Sequence, residues 1–147
     1  MDKPISSFLR NTFLVHMVIG GLLGAFIFLI PGRALTWLGW VPTNVAVLDT
    51  GLTVPGTTFV DPVIVRLVGA ALLALAFSSF LGWRSSTWGQ VALLVQVELV
   101  YCALSSVALI TGWVVRGNLQ VIAYVLLMIL LAFVAAWAWA YQQGARE

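Results

Sequence analysis

The side chains best suited to chemistry form a polar stripe in an apolar stretch, residues 91–110. Glu98, Tyr101, Cys102 and Ser105 are spaced i, i+3, i+4 and i+7, so they share one face of a helix. The opposite face is apolar and consists of Val97, Val100, Ala103, Leu104 and Val107. Two interpretations stay open for Glu98: a proton or ligand site centred on its carboxyl, or a neutral carboxyl hydrogen-bonded to a neighbouring helix.

Depth is what makes Glu98 informative. The stretch spans a membrane by length, and Glu98 lies about eight residues into it, roughly 12 Å deep at ~1.5 Å per residue. An ionisable side chain at such a depth costs about 2.5–3.5 kcal/mol on insertion scales. The other charged residues except Arg66 lie outside the apolar stretches or near their ends.

His16 is the single histidine of the chain and lies in the first apolar stretch. It is also about eight residues in, counted from the same side of the membrane, so it should reach the depth of Glu98. A His16–Glu98 pair, as hydrogen-bond partners or as a proton relay, would require the first and third spans to touch. The alternative is a packed histidine with its hydrogen bonds satisfied elsewhere.

Arg66 begins the second apolar stretch from the opposite side, with its Cα about 6 Å below that surface. Snorkelling of the guanidinium to the interface explains it without a site. The alternative is that Arg66 reaches Glu98. Five further polar side chains could complete a polar interior: Ser78, Ser79, Gln96, Gln120 and Tyr124.

Several kinds of site are excluded by residue counts. One cysteine rules out an internal disulfide and a CxxC motif, and one histidine rules out a multi-histidine metal site within one protomer. No nucleophile elbow, phosphate loop, HExxH motif or paired-carboxylate arrangement is present. We therefore identify no catalytic residue, metal site or cofactor ligand set, although a bound lipid or quinone is compatible with the sequence.

The composition indicates the class of protein that carries these residues. Of 147 residues, 62% are hydrophobic and 8% charged, against about 45–50% and about 25% in soluble domains. This excludes a soluble enzyme, a nucleic-acid-binding protein and a disordered tail. The net charge of +2 is too small and too dispersed for nucleic-acid binding.

Four apolar stretches have the roughly 20 residues that a membrane-spanning helix needs. They cover residues 8–30, 62–81, 91–110 and 119–141. Asp61 is the predicted N-cap of the second, with Pro62 in its first turn. The sequence predicts one all-α domain, a bundle of four transmembrane helices. Short second and third loops make spans two, three and four antiparallel neighbours.

The aromatic and glycine patterns add detail to this bundle. Tryptophan concentrates at membrane interfaces, and all seven are predicted as interface anchors at span ends: Trp37, Trp40, Trp83, Trp88, Trp113, Trp137 and Trp139. Gly20 and Gly24 form a GxxxG motif, which predicts a close helix contact.

The first loop, residues 31–61, is the long one. Two β-prone runs flank Asp49-Thr50-Gly51, which predicts a short hairpin between about residues 45 and 54. The loop would be an external cap or a docking surface for a partner, or else an ordered loop with no task of its own.

Basic residues set the expected orientation. Lys3, Arg10, Arg84 and Arg146 share the side of the termini, and fewer basic residues lie on the other side. The positive-inside rule then places both termini in the cytoplasm. We expect a multi-pass protein of the plasma membrane.

Two segments carry a resemblance. Residues 31–39, PGRALTWLG, and residues 61–70, DPVIVRLVGA, resemble small four-span prokaryotic membrane proteins of the broad DoxX-like type. The likeness covers about half of the chain, and an insertion at about residues 41–58 departs from it. The resemblance implies a four-helix bundle, in some members associated with quinone-linked or redox complexes. It transfers no catalytic residue and draws attention to Arg66.

Three functions are consistent with these features. The first is an accessory subunit of a larger membrane complex, contacting lipids and other membrane subunits. The second is a small transporter or channel that works as a homo-oligomer, proton-coupled through Glu98 and His16. The third is a quinone-linked redox subunit, with Glu98, Tyr101 and His16 near the quinone head group. A role other than an enzyme is favoured.

Overall fold

The computed structural model describes residues 3–38, 61–116 and 121–145. These ranges form five helices: α1 (Ser7–Leu29), α2 (Pro31–Trp37), α3 (Pro62–Arg84), α4 (Trp88–Arg116) and α5 (Val121–Ala145). Four of them, α1, α3, α4 and α5, are long and apolar enough to cross a membrane. No named strand occurs in these ranges, so the predicted all-α four-helix membrane bundle is confirmed.

Local sequence explains where the helices begin. The Ser6 hydroxyl accepts the Leu9 N–H and caps α1. Asp61 caps α3, as predicted, by accepting the Val63 N–H over 2.8 Å, with Pro62 in the first turn. The spans are longer than predicted at several ends, most of all α4 with 29 residues, because amphipathic residues near the interfaces continue the helical hydrogen bonding.

The spans associate mainly as two pairs. Helix α1 packs closely on α3, and α4 packs closely on α5, whereas the α1–α5 and α3–α4 contacts are sparse. The second and third spans are therefore looser neighbours than their short loop suggests. Going round the bundle, the order is α1, α3, α4, α5, which places α1 diagonally opposite α4.

Glycines allow the close approach of α1 and α3. Gly24 is buried, and an added Cβ there would lie 3.0 Å from the Leu73 nitrogen. Gly20 lies in the same contact with more room, 3.8 Å from the Ala76 Cβ. Gly69 faces α1 more tightly still, since a Cβ would lie 2.6 Å from the Phe28 backbone nitrogen.

The two ends of the bundle are packed differently. The end that carries both termini has a core in which Phe13, Val91 and Val95 are fully buried. Beside this core lies an open pocket of about 520 Å³, lined by the segment before α1 and by Trp88 and Gly144. The segment before α1 also closes this end, because the Trp88 N–H donates to the Lys3 carbonyl over 2.7 Å. We call this the termini end, and the opposite one the long-loop end.

Helix α2 is the part of the 31–61 loop that the structure describes, together with the residues that flank it. Ala34, Leu35 and Leu38 are buried and form a second core with Ile27 of α1 and Val65 of α3. The loop therefore begins by folding back onto the bundle. The predicted hairpin at residues 45–54 lies outside the described residues.

Trp137 corrects the tryptophan prediction. It is completely buried, and its ring packs 4.9 Å from that of Phe13 between centroids. It is a core residue, because the rings of Phe13, His16 and Phe133 surround it inside the bundle. Among the other six, Trp37, Trp83, Trp113 and Trp139 are exposed, Trp88 is half-buried, and Trp40 lies outside the described residues.

Candidate functional site: a buried polar triad below an apolar cavity

Three helices bring one polar side chain each to the centre of the bundle. His16 of α1, Ser79 of α3 and Glu98 of α4 are buried, and we call them the polar triad. Ser79 Oγ lies 3.0 Å from Glu98 Oε1 and 2.9 Å from His16 Nδ1. His16 Nδ1 also lies 3.4 Å from Glu98 Oε2.

The pairing of His16 with Glu98 does not need the helix contact that the sequence argument required. Helices α1 and α4 make no close backbone contact in the described part of the chain. The two side chains reach across the diagonal instead, and Ser79 bridges them from the helix between. Because both side chains are long and lie at the same depth, they approach each other without contact between their helices.

Hydrogen-bond directions in the polar triad follow from the inventory of donors. The Ser79 hydroxyl has one hydrogen and donates it to Glu98 Oε1. Its contact with His16 must therefore use a lone pair, so the histidine Nδ1–H donates to Ser79 Oγ. We assign the Nδ1–H tautomer to His16 on this basis.

Aromatic rings of α5 cover the histidine. The ring of Phe133 meets that of His16 edge to face, 4.7 Å between centroids, and Trp137 does so at 5.8 Å. These contacts fix the plane of the imidazole. All four spans thus contribute to the centre: three supply polar groups and the fourth supplies the aromatic wall.

Above the polar triad, towards the long-loop end, the bundle is hollow. A cavity of about 270 Å³ lies between all four spans and is also lined by Leu38 beside α2. Its lining is apolar except near the polar triad, where His16, Tyr101 and Ser105 contribute. The apolar lining includes Leu23, Leu72, Leu109, Leu126, Ile129 and Leu130.

A groove on the lipid-facing surface adjoins this cavity. It follows the sparse α1–α5 contact, has a volume of about 440 Å³ and includes Val15 and Ala136. Ile19, Ile129 and Phe133 line both the groove and the cavity. These three side chains therefore lie where the cavity and the groove meet.

The predicted stripe on α4 faces inwards, although its members have different environments. Glu98 and Cys102 are buried, while Tyr101 and Ser105 are half-buried and line the cavity. On the opposite face, Val97, Val100, Leu104 and Val107 are exposed. Cys102 belongs to the core of the termini end.

Arg66 is not part of the site. It is half-buried near the start of α3, and it makes no ion pair with Glu98. The alternative in which Arg66 reaches Glu98 is therefore wrong, since the Glu98 oxygens face Ser79 and His16 instead. Tyr124 and Gln96 are exposed, and Gln120 lies outside the described residues.

The sequence argument named Ser79 but gave it no position in the site. It was one of several polar residues in the spans, and its value depends on which face of α3 meets α1. The aromatic wall had no polar signal at all. The spacing of Phe133 and Trp137, i and i+4, places them on one helix face and could have suggested a shared contact.

Side chains that could bind a metal are not clustered in the described part of the chain. Within residues 3–38, 61–116 and 121–145, no three His, Cys, Asp or Glu side chains come together as ligands. The polar triad supplies one imidazole and one carboxyl group, each in contact with Ser79. Such groups can exchange hydrogen bonds and protons.

Comparison with protein-family models, curated proteins and solved structures found no match to the chain. The DoxX-like resemblance accordingly stays a prediction. Independently of any family, the chain forms a polytopic membrane bundle with a polar centre beside an apolar cavity.

Proposed function

We propose that this chain is a membrane-embedded binding protein for a small amphipathic molecule taken from the bilayer. The observation that carries the proposal is the contact between the 270 Å³ apolar cavity and the polar triad through His16. An apolar body would fill the cavity, and a polar group would meet the imidazole. Small-molecule sites commonly combine mostly apolar walls with a few placed polar groups.

The volume of the cavity limits the size of the ligand. An engineered apolar cavity of about 150 Å³ binds benzene, whereas drug-sized ligands occupy pockets of about 300–1,000 Å³. A volume of about 270 Å³ lies between these cases. It suits one ring with a short chain, or part of one acyl or prenyl chain, and not a whole two-chain lipid.

The seam between α1 and α5 suits entry from the bilayer. The contact between these helices is sparse, and the surface groove there adjoins the cavity. Rotation of the Phe133, Ile19 and Ile129 side chains would connect the two spaces. An apolar ligand would then enter without crossing water.

Photolabelling tests this function. The probe is a benzyl alcohol that carries an aryl diazirine, added to the protein in liposomes and mapped by mass spectrometry. We expect labels on cavity residues such as Leu126 and Ile129. Leu109→Trp fills the cavity from α4 and should abolish most of this labelling.

A matched control lies on the same helix. Leu104 faces lipid and is 65% exposed, so Leu104→Trp adds the same side chain outside the cavity and should leave the labelling of cavity residues intact. Labels confined to lipid-facing residues, or equal cavity labelling in both variants, would refute the proposed function.

The other hypotheses are separate proposals. An accessory-subunit role would show as co-purification with unrelated subunits in mild detergent. A transport role as a homo-oligomer would show as flux in liposomes that Glu98→Gln abolishes. A quinone-linked role would place a quinone head group at His16 and Tyr101.

We also propose the plasma membrane as the location, with both termini in the cytoplasm. The basis is the excess of basic residues on the side of the termini. In this orientation the cavity lies in the outer half of the bilayer, and the polar triad lies between the cavity and the cytoplasmic side.

A further inference from the structure

We infer that the cavity selects ligands that carry a hydroxyl group, whose O–H donates a hydrogen bond to Nε2 of His16. This inference rests on the proposed function and specifies the chemical class of its ligand. Such ligands include phenols, benzyl alcohols and short isoprenoid or fatty alcohols. Ethers and carbonyl compounds of the same shape bind less tightly.

The direction of the hydrogen bonds in the polar triad determines what His16 offers the cavity. His16 uses its Nδ1–H on Ser79, so its other ring nitrogen, Nε2, carries a lone pair. Nδ1 faces Ser79 and Glu98, and His16 also lines the cavity. The imidazole therefore offers the cavity an acceptor and no donor.

The hydrogens of the polar triad are already in use. Those on Ser79 Oγ and His16 Nδ1 are both donated within it. Burying a polar group without a partner is costly, so a ligand that donates to Nε2 complements the imidazole better than one that offers a second acceptor.

The distances favour the neutral ring. An imidazolium paired with a carboxylate would carry hydrogens on both nitrogens and would offer the cavity a donor. Charge-assisted N–H···O bonds are typically about 2.7–2.9 Å. The Nδ1–Oε2 distance is 3.4 Å, and the shorter contact, 2.9 Å, is with the Ser79 hydroxyl.

Two probes that differ by one methyl group test the inference. The diazirine benzyl alcohol is compared with its methyl ether, which keeps the ring and the oxygen acceptor and loses the donor. For wild-type protein in liposomes, with each concentration corrected for partitioning, we expect half-maximal labelling of cavity residues at about fivefold lower alcohol than ether, the value of one ordinary hydrogen bond. Equal labelling of the cavity by both probes would overturn the inference and keep the proposed function.

Absence of cavity labelling by either probe would instead refute the proposed function itself. Stronger cavity labelling by the ether, or by a matched benzaldehyde, would mean that the imidazole of His16 donates a hydrogen bond to the ligand. This result would also overturn the inference.

A double variant checks that His16 is the group responsible. His16→Leu with Glu98→Leu removes both ends of the network together, which leaves no buried charge and allows Ser79 to donate to its own helix. After circular dichroism has verified the helical fold, the alcohol and the ether should label the cavity equally. A persistent preference for the alcohol would show that another group holds the hydroxyl.

Discussion

Ser79 is the residue on which the polar centre depends, although it carries no charge. Its hydroxyl is the one group that bonds both Glu98 and His16 within hydrogen-bond distance. Without it, the 3.4 Å separation of His16 Nδ1 and Glu98 Oε2 would be the remaining direct contact. The serine thus satisfies one hydrogen-bonding atom on each of two other helices.

We expect Ser79→Ala to lower the free energy of unfolding by about 1–3 kcal/mol, because it leaves a buried donor and a buried acceptor unpaired. The measurement is the denaturation midpoint in detergent, followed by circular dichroism. Ser106→Ala is the control, since Ser106 is also buried but its hydroxyl bonds only Cys102 of its own helix. If both variants unfold alike, the bridge contributes no stability.

Depth counting on the sequence correctly placed His16 and Glu98 at one level, because the rise per residue of a helix is constant. It could not supply the rotation of each helix about its axis. That rotation decides that Ser79 turns towards His16 and Glu98. It also decides that Trp137 turns inward beside Phe13, a packing choice that composition does not encode.

At the level of helices, the closest contact is the one between α1 and α3. Gly69 and Gly24 face each other there, and neither has room for a side chain without displacing the neighbouring helix. The spacing of Gly20 and Gly24 indicated a contact face but not its partner. The structure identifies the partner helix through Gly69. The sequence does not, because no small residue lies four positions before or after Gly69.

Two glycine substitutions separate packing from helix propensity. Gly69→Ala would place its Cβ 2.6 Å from the Phe28 backbone, and overpacking of this kind costs about 1–3 kcal/mol. Gly112 has no neighbouring atom within 4 Å of an added Cβ, so Gly112→Ala should instead gain up to about 1 kcal/mol from helix propensity.

Thermal denaturation of the two variants measures this difference. Opposite shifts of the midpoint, downward for Gly69→Ala and upward for Gly112→Ala, are the expected result. A gain for both would mean that α1 and α3 separate readily and that their contact is not close in the membrane.

The long helices were predictable because a span needs only length and hydropathy. Helix α2 was not, since its seven residues, Pro31–Trp37, were assigned to the loop. The first predicted span ends at residue 30, directly before Pro31. In the structure, Pro31 occupies the first turn of a new helix, where its lack of an N–H costs nothing.

For the molecule as a whole, the important property is the difference between its two halves. The termini end contains the buried core around Phe13 and is tied together by the segment before α1, and the long-loop end contains the apolar cavity. Which half faces the cytoplasm decides from which leaflet a ligand would come. The orientation of the chain is therefore a functional question.

Single cysteines determine this orientation. Cys102 is fully buried and should not react, so each introduced cysteine reports alone. In intact cells, a membrane-impermeant maleimide should label Val115→Cys at the long-loop end but label Gln142→Cys near the C-terminus only after permeabilisation. The reverse pattern would place the termini outside.

The position of the polar triad along the chain also bears on how the protein is made. Synthesis proceeds from the N-terminus, so α1 with His16 and α3 with Ser79 are delivered to the membrane before α4. Glu98, the most costly group to insert, follows when its hydrogen-bond partner Ser79 and the neighbouring His16 are already there. Helix α5 comes last and brings Phe133 and Trp137 to cover the histidine. The order of the spans along the chain therefore places the neighbours of each buried polar group in the membrane before that group or soon after it.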